Sequence, residues 1–189
     1  MRPSRTVESP PPTTGKWVRF DWNLDRLADQ IAFPAGYVQG AAVPANRTEL
    51  LTTLLKAYAS DQVWKPQLTA IQARMQRRLD ETIGREGNIY LIVRSDEKIV
   101  AVSGVARDHW TDQNLLTGIC VLPGHQRLGI GRALLLASLY ALREMRCATA
   151  RVYTEHNSLA DRKIYPLFGS TRTSGVQYPG ERLHIETNG

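Results

Sequence analysis

The sequence predicts an α/β (α+β) domain, a mixed and mostly antiparallel central sheet flanked by helices, with a β-loop-α-β unit near its end. Three observations carry this. Residues 17–22, Trp-Val-Arg-Phe-Asp-Trp, alternate apolar and polar side chains as a half-buried strand does. Two stretches between residues 46 and 84 repeat apolar side chains at helical spacing. Apolar, largely β-branched runs at 88–93, 99–106 and 115–122 then lead through a polar turn into a long apolar helix and one more strand.

In chain order, residues 1–16 include Ser9-Pro10-Pro11-Pro12-Thr13-Thr14-Gly15 and have no periodic apolar pattern, which predicts a disordered tail before a single domain over 17–189. After the first strand, residues 31–44 mix aromatics with Gly and Pro and read as an irregular loop bordering a pocket. A helix begins at about Asn46 or Thr48, with Leu50, Leu51, Leu54, Leu55 and Tyr58 on one stripe. Pro66 suits the first turn of a second helix carrying Leu68, Ile71, Met75, Leu79 and Ile83, which Gly84 and Gly87 end. Runs 88–93 and 99–106, separated by Arg94-Ser95-Asp96-Glu97-Lys98, predict an antiparallel hairpin. Residues 148–154 are expected to form a strand parallel to 115–121, returned by the helix in a right-handed crossover. Residues 175–178 and 182–186, around Pro179-Gly180, read as a terminal hairpin.

The 189 residues, 42% hydrophobic and 22% charged, have the composition of one soluble domain. No apolar run reaches the roughly 20 residues of a membrane span, and the N-terminus lacks an apolar signal region, so a cytoplasmic protein with no membrane partner is expected. Cys120 in a predicted buried strand and Cys147 after a helix fit a reducing compartment, and Cys120 reads as a small buried hydrophobe rather than a nucleophile. His109, His125, His156 and His184 are scattered without paired Cys, so no metal is expected. Lys plus Arg number 24 against 18 Asp plus Glu, a formal charge of +6 that favours anionic ligands. The excess forms no Lys/Arg block interleaved with aromatics, so nucleic acid is a minor alternative.

The chemistry concentrates in Gln126-Arg127-Leu128-Gly129-Ile130-Gly131-Arg132, between the apolar run 115–122 and the long helix. Two glycines leave backbone N–H groups unobstructed at a helix N-terminus, and two arginines add positive charge, which suits a diphosphate. A nucleotide-triphosphate loop would require Lys and a hydroxyl where Ile130-Gly131 stands, and a dinucleotide fold would require a third glycine where Leu134 stands.

The hexapeptide resembles the acyl-coenzyme A loop of the GNAT superfamily of N-acetyltransferases, Gln/Arg-x-x-Gly-x-Gly/Ala, through Gln126, Gly129 and Gly131. Residues 157–169 resemble that family's closing motif, in which an Asn caps a helix and a Tyr some two turns later faces the thioester sulfur. Asn157 and Ser158 occupy the cap, with Ser158 at the usual Asn register, Tyr165 matches the Tyr, and Pro166 and Ser170 depart from the pattern.

The resemblance implies an acetyl-CoA-dependent enzyme that acetylates a primary amine by direct attack on the thioester. It implies that the backbone at Ile119, Cys120 and Val121 holds the pantetheine arm, that Gln126 through Arg132 (Arg127, Leu128, Gly129, Ile130, Gly131) hold the diphosphate, that Asn157 and Ser158 also contact the cofactor, and that Tyr165 protonates the departing coenzyme A. The acceptor class stays open among small amines, antibiotics, protein amino groups and aminoacyl-tRNA, and the assembly between monomer and homodimer. No carboxylate stands on 115–121, where Thr117 takes an inward position; Asp108, His109, Asp112 and Glu155 are the base candidates, beside a water relay. The competing class is a non-catalytic module that senses acyl-coenzyme A or associates with nucleic acid.

Overall fold

The computed structural model describes residues 16–107 and 112–179. The expected tail up to residue 15, the base candidates Asp108 and His109, His184, and the second half of the predicted terminal hairpin lie outside the described residues.

The elements run β1 (Trp17–Asn23), β2 (Val38–Ala41), α1 (Arg47–Ala59), α2 (Leu68–Thr82), β3 (Asn88–Ser95), β4 (Lys98–Ala106), β5 (Cys120–Val121), α3 (Ile130–Glu144), β6 (Thr149–Glu155), α4 (Leu159–Lys163) and β7 (Thr171–Val176). They form an α+β fold with two sheets, ordered β6-β1-β7 and β2-β3-β4-β5. The β3–β4 hairpin pairs Asn88 with Ala106 and Ser95 with Lys98. Both faces of this hairpin are covered, which is why its sequence is almost continuously apolar. Leu91, Val93 and Val105 pack with α3 residues Leu134, Leu135 and Leu139, whereas Tyr90, Ile92 and Val102 pack with Leu50, Leu54, Ile71 and Leu79 of α1 and α2.

Five features depart from the sequence reading. The strand expected over 175–178 runs instead as Thr171–Val176 and pairs antiparallel with β1. The segment 31–44 contains β2, a fully exposed edge strand held by its ladder with β3 rather than by any apolar pattern of its own. The predicted strand 115–122 survives as the bridge Val105–Leu115 and the two residues of β5, because Gly118 at φ +69° breaks the pleat between them. The predicted parallel pairing of 148–154 does not form. β6 pairs antiparallel with β1, and the Arg151 carbonyl takes the N–H groups of Asn114 and Leu115, each at 3.2 Å, as the junction between the sheets. Finally, α4 ends at Lys163, before Tyr165. Pro166 cannot donate to the helix ladder and disfavours helical geometry at the residue before it, so Tyr165 sits in a turn.

That turn is fixed from both sides. Trp22 donates from Nε1 to the Leu167 carbonyl at 2.9 Å, and Ser170 donates from Oγ to the Tyr165 carbonyl at 2.6 Å. Asp161, buried at the start of α4, accepts a two-pronged contact from Arg172 of β7, at 2.8 and 3.0 Å, and the Asn157 N–H at 2.8 Å. Burial pushes its carboxyl up, but the Arg172 guanidinium and the Asn157 N–H outweigh it and hold it below the ordinary aspartate value.

Arg172→Ala should therefore destabilise the protein by about 1–2 kcal/mol in urea melts at pH 7, because the carboxylate stays buried without its cation. A folded-state value below the unfolded one gives stability that is present above about pH 4 and is lost as pH falls further. The gap between parent and variant should accordingly narrow from pH 7 to pH 3, and a gap independent of pH would show that the pair contributes nothing.

Candidate active site

The turn before α3 has an unusual backbone. Arg127 has φ +61° and Gly129 φ +85°, so two left-handed residues lie within three positions of the helix start. No backbone N–H from Arg127 to Arg132 finds an acceptor among the described residues; the first helical bond of this turn is Ala133 to Gly129 at 3.0 Å. A left-handed turn at a helix N-terminus with such free donors is an anion nest. Gln126 builds it rather than facing it: its side-chain amide donates to the Val121 carbonyl at 3.0 Å and to Ser60 Oγ at 3.4 Å, tying the loop to β5 and to the end of α1. His125 points away, its Nδ1 2.9 Å from the Tyr37 hydroxyl.

From the nest a cavity of about 810 Å³ runs inward between α4 and β5. Its outer end carries Arg127, Arg132 and Lys163, with the Arg132 guanidinium 5.7 Å from the Phe168 ring. Farther in, the walls are Val121 and Ile119 on one side and Leu159, Ala160 and Ile164 on the other. Gly131 has a packing role here, since a Cβ on it would stand 3.1 Å from Ile164 Cδ1. The cavity thus gathers Ile119, Cys120, Val121, Gln126, Arg127, Gly129, Gly131 and Arg132. Ile130, 1% exposed, belongs to the core instead, and the Leu128 side chain is half exposed off the cavity wall.

A second, smaller cavity of about 50 Å³ lies beyond, between the 115–120 segment and β6, and shares Tyr58, Trp64, Ile119, Cys120 and Ala160 with the first. Two phenols converge at this constriction. Tyr58 donates its hydroxyl to the Thr117 carbonyl at 2.6 Å, and Tyr165 accepts the Ile119 N–H at 3.3 Å. Tyr165 lines the inner cavity only, with its ring 5.5 Å from Phe20 and 5.9 Å from Trp22. Gly118 lies between the hydroxyls: a Cβ on it would stand 2.7 Å from that of Tyr165 and 3.6 Å from that of Tyr58. Burial pushes both phenols up, and the Cys120 thiol up to about 12, so all three are neutral at pH 7 and Cys120 is no nucleophile.

The closing segment divides its work. Ser158 caps α4, its Oγ accepting the Asp161 N–H at 3.1 Å and lying 2.8 Å from Thr154 Oγ1, while Asn157 is exposed at φ +67°; neither side chain lines the large cavity. Among the described base candidates, Asp112 is bound by Arg151 and Tyr153 at 2.8 Å each, and Glu155 accepts from Gln67 at 2.6 Å. Neither lines either of these two cavities.

Residues 48–169 match the sequence pattern of the acetyltransferase (GNAT) family. The chain belongs to the acetyltransferase (GNAT) family. Solved structures of the same fold include a GCN5-related N-acetyltransferase from Kribbella flavida, with TM-score 0.51, 15% identity, and coverage of 90% of this chain and 60% of that one. A functionally unknown conserved protein from Staphylococcus epidermidis gives TM-score 0.57 at 13% identity, covering 86% and 59%, and a Drosophila protein gives 0.55 at 13%, covering 84% and 48%. The chain therefore spans about half to three fifths of the length of these structures. A comparison with curated protein sequences gives no match. Among the described residues, no helix of this GNAT domain is long and apolar enough to cross a membrane.

Sequence reasoning missed Tyr58, Trp64 and Lys163. Tyr58 falls on the apolar stripe of α1, where a core residue and a cavity residue follow the same spacing; only the convergence of α1 on the break at Gly118 separates them. Lys163, in the last turn of α4, carried no signal beyond its charge.

Gly118→Ala should cost more stability than Gly129→Ala in paired denaturant melts. Both place a Cβ at positive φ, about 1–2 kcal/mol, but at Gly129 it meets nothing within 4 Å whereas at Gly118 it also displaces the Tyr165 hydroxyl. Equal losses would mean that the phenol is not held against Gly118.

Proposed function

We propose that this GNAT-family acetyltransferase carries an acetyl group from acetyl-coenzyme A to the amino group of an acceptor by direct attack on the thioester. The observation that carries the reading is the continuity from the free N–H groups of the nest, through the cavity, to the two phenols at its inner constriction. The diphosphate takes the N–H groups between Arg127 and Arg132 with help from those arginines and Lys163. The pantetheine arm follows the apolar walls of Ile119, Val121 and Ile164. The amine enters from the inner cavity.

There the amine nitrogen bonds to the acyl carbon, the carbon–sulfur bond breaks, and the electron pair leaves on sulfur. Tyr165 gives its proton to the thiolate and is recharged from solvent. The amine's proton leaves through water, because neither Asp112 nor Glu155 reaches the cavity and Asp61, which lines it, already accepts the N–H groups of Leu159 and Val63. A phenol that burial keeps neutral has a proton to give and cannot serve as a base at pH 7. The acceptor is to be identified by following thiol release from acetyl-coenzyme A across small amines, peptides and aminoacyl-tRNA; no release with any of them, despite tight binding, would favour a sensing module.

Gly129→Val should weaken coenzyme A binding at least tenfold, about 1.4 kcal/mol, by calorimetry. Unchanged affinity in the folded variant would remove the nest from the site. Tyr165→Phe should lower kcat by roughly 10²-fold with acetyl-coenzyme A affinity little changed, the mark of a contact made in the transition state. Because burial raises the phenol above its ordinary value of about 10, the parent should show no tyrosine-dependent fall in rate below that pH. Full activity in Tyr165→Phe at saturating acceptor would end its role as the acid.

A further inference from the structure

We propose that Tyr58 is the hydrogen-bond donor to the thioester carbonyl of the acyl donor, and that the Thr117 carbonyl it releases receives the N–H of the incoming amine. The inference rests on the acetyl-coenzyme A reading above and assigns a residue that neither the sequence pattern nor the proposed acid accounts for.

The two cavities meet at few residues, and the acyl carbon must sit where donor and acceptor can both reach it. Of the two phenols, Tyr58 borders both cavities, whereas Tyr165 borders only the inner one. Tyr165 already takes the Ile119 N–H, so the hydroxyl proton of Tyr165 is directed at some other atom, as an acid requires. The Cys120 thiol is a weak donor and points at the Thr117 carbonyl from 3.7 Å. Of the residues that border both cavities, Tyr58 and Trp64 carry strong side-chain donors, and it is the Tyr58 hydroxyl that lies at the Gly118 break, bonded to the Thr117 carbonyl.

Its present partner explains how it can serve. The Thr117 carbonyl belongs to the stretch where the strand is broken at Gly118, so it has no neighbouring strand to donate to it, and a buried carbonyl left alone costs free energy. Tyr58 and Thr117 satisfy each other in the absence of substrates. A thioester carbonyl and an amine N–H, arriving from opposite cavities, would exchange with that one bond, so that two polar groups are desolvated and two hydrogen bonds replace one. The ring stays in place during the exchange, edge-on to Trp64 at 5.6 Å and 88°. A donor held in that position stabilises the charge that develops on the carbonyl oxygen as nitrogen attacks. Burial keeps the phenol protonated at neutral pH, which the role requires.

Infrared difference spectroscopy with acetyl-coenzyme A labelled with ¹³C at the carbonyl reads this contact directly and needs no acceptor. The bound carbonyl band should lie below that of free acetyl-coenzyme A in the parent protein and in Tyr165→Phe, and should return most of the way in Tyr58→Phe. Replacing Tyr58 by 3-fluorotyrosine, a more acidic phenol that keeps every other contact, should lower the band further and serves where the Phe variant does not fold. Once an acceptor is known, Tyr58→Phe should reduce kcat by about 10²-fold or more, with coenzyme A affinity unchanged. A bound carbonyl band that is the same in the parent, in Tyr58→Phe and in the fluorinated protein overturns the assignment while leaving the cofactor site standing. Failure of acetyl-coenzyme A to bind the parent protein at all overturns both.

Discussion

The Arg151 carbonyl accepts two N–H groups, from Asn114 and Leu115, and beyond that point residues 116–121 make no backbone hydrogen bond to β6. Two strands that would otherwise continue as neighbours diverge there, and the features of the site follow from the divergence. The gap gives an apolar channel its width. It also leaves polar backbone groups inside the protein without a strand to pair with, and such groups must find partners elsewhere. The Tyr58 hydroxyl answers the Thr117 carbonyl, the Tyr165 hydroxyl answers the Ile119 N–H, and Thr117 Oγ1 bridges the Gly104 N–H at 2.8 Å to the Gly118 carbonyl at 2.9 Å. Side chains that replace a missing strand thereby converge where the two cavities meet.

The architecture around the gap keeps these side chains still. Tyr165 sits between Phe20 and Trp22 of β1, and its turn is tied back by the Trp22 indole, the Ser170 hydroxyl and, through α4, the Asp161–Arg172 pair. Tyr58 is fixed by α1 and Trp64. Asp61, just after α1, accepts the Leu159 N–H at 2.7 Å, so the two walls of the large cavity are linked at their base. Small hydroxyl-to-backbone contacts can hold positions to a fraction of an ångström only when the rings that carry them are packed, and here they are.

Much of this was legible in the sequence, for reasons that are local. The helical stripes of α1, α2 and α3, the β3–β4 hairpin and the Gly129-x-Gly131 turn are set by periodicity, turn chemistry and positive φ, all of which act over a few residues. The nest could be read because glycines and a following helix are enough to define it. What could not be read depends on distant partners. β2 has four exposed residues and exists because β3 offers an edge. The stretch 115–122 has the composition of a strand, and only the course of β6 decides that it breaks at Gly118. Tyr58 has the spacing of a core residue, and Asn157 that of a cap that Ser158 in fact provides. The closing helix looked long enough to carry Tyr165, but Pro166 removes a donor and ends it early.

The charge distribution completes the argument. Arg127, Arg132 and Lys163 stand at the mouth of the channel, beside N–H groups that carry the positive end of the α3 dipole, so the outer end suits a polyanion. Toward the constriction the walls become apolar, and the titratable groups that converge there, Tyr58, Tyr165 and Cys120, are held neutral by burial. A ligand with phosphates at one end and an uncharged acyl group at the other matches that gradient. In the proposed reaction the inner cavity also bears on the acceptor, because the Arg74 and Arg78 guanidiniums on its wall penalise an ammonium relative to the free amine, which is the nucleophilic form. The neutrality of the two phenols thus excludes them as bases and leaves them as hydrogen-bond donors.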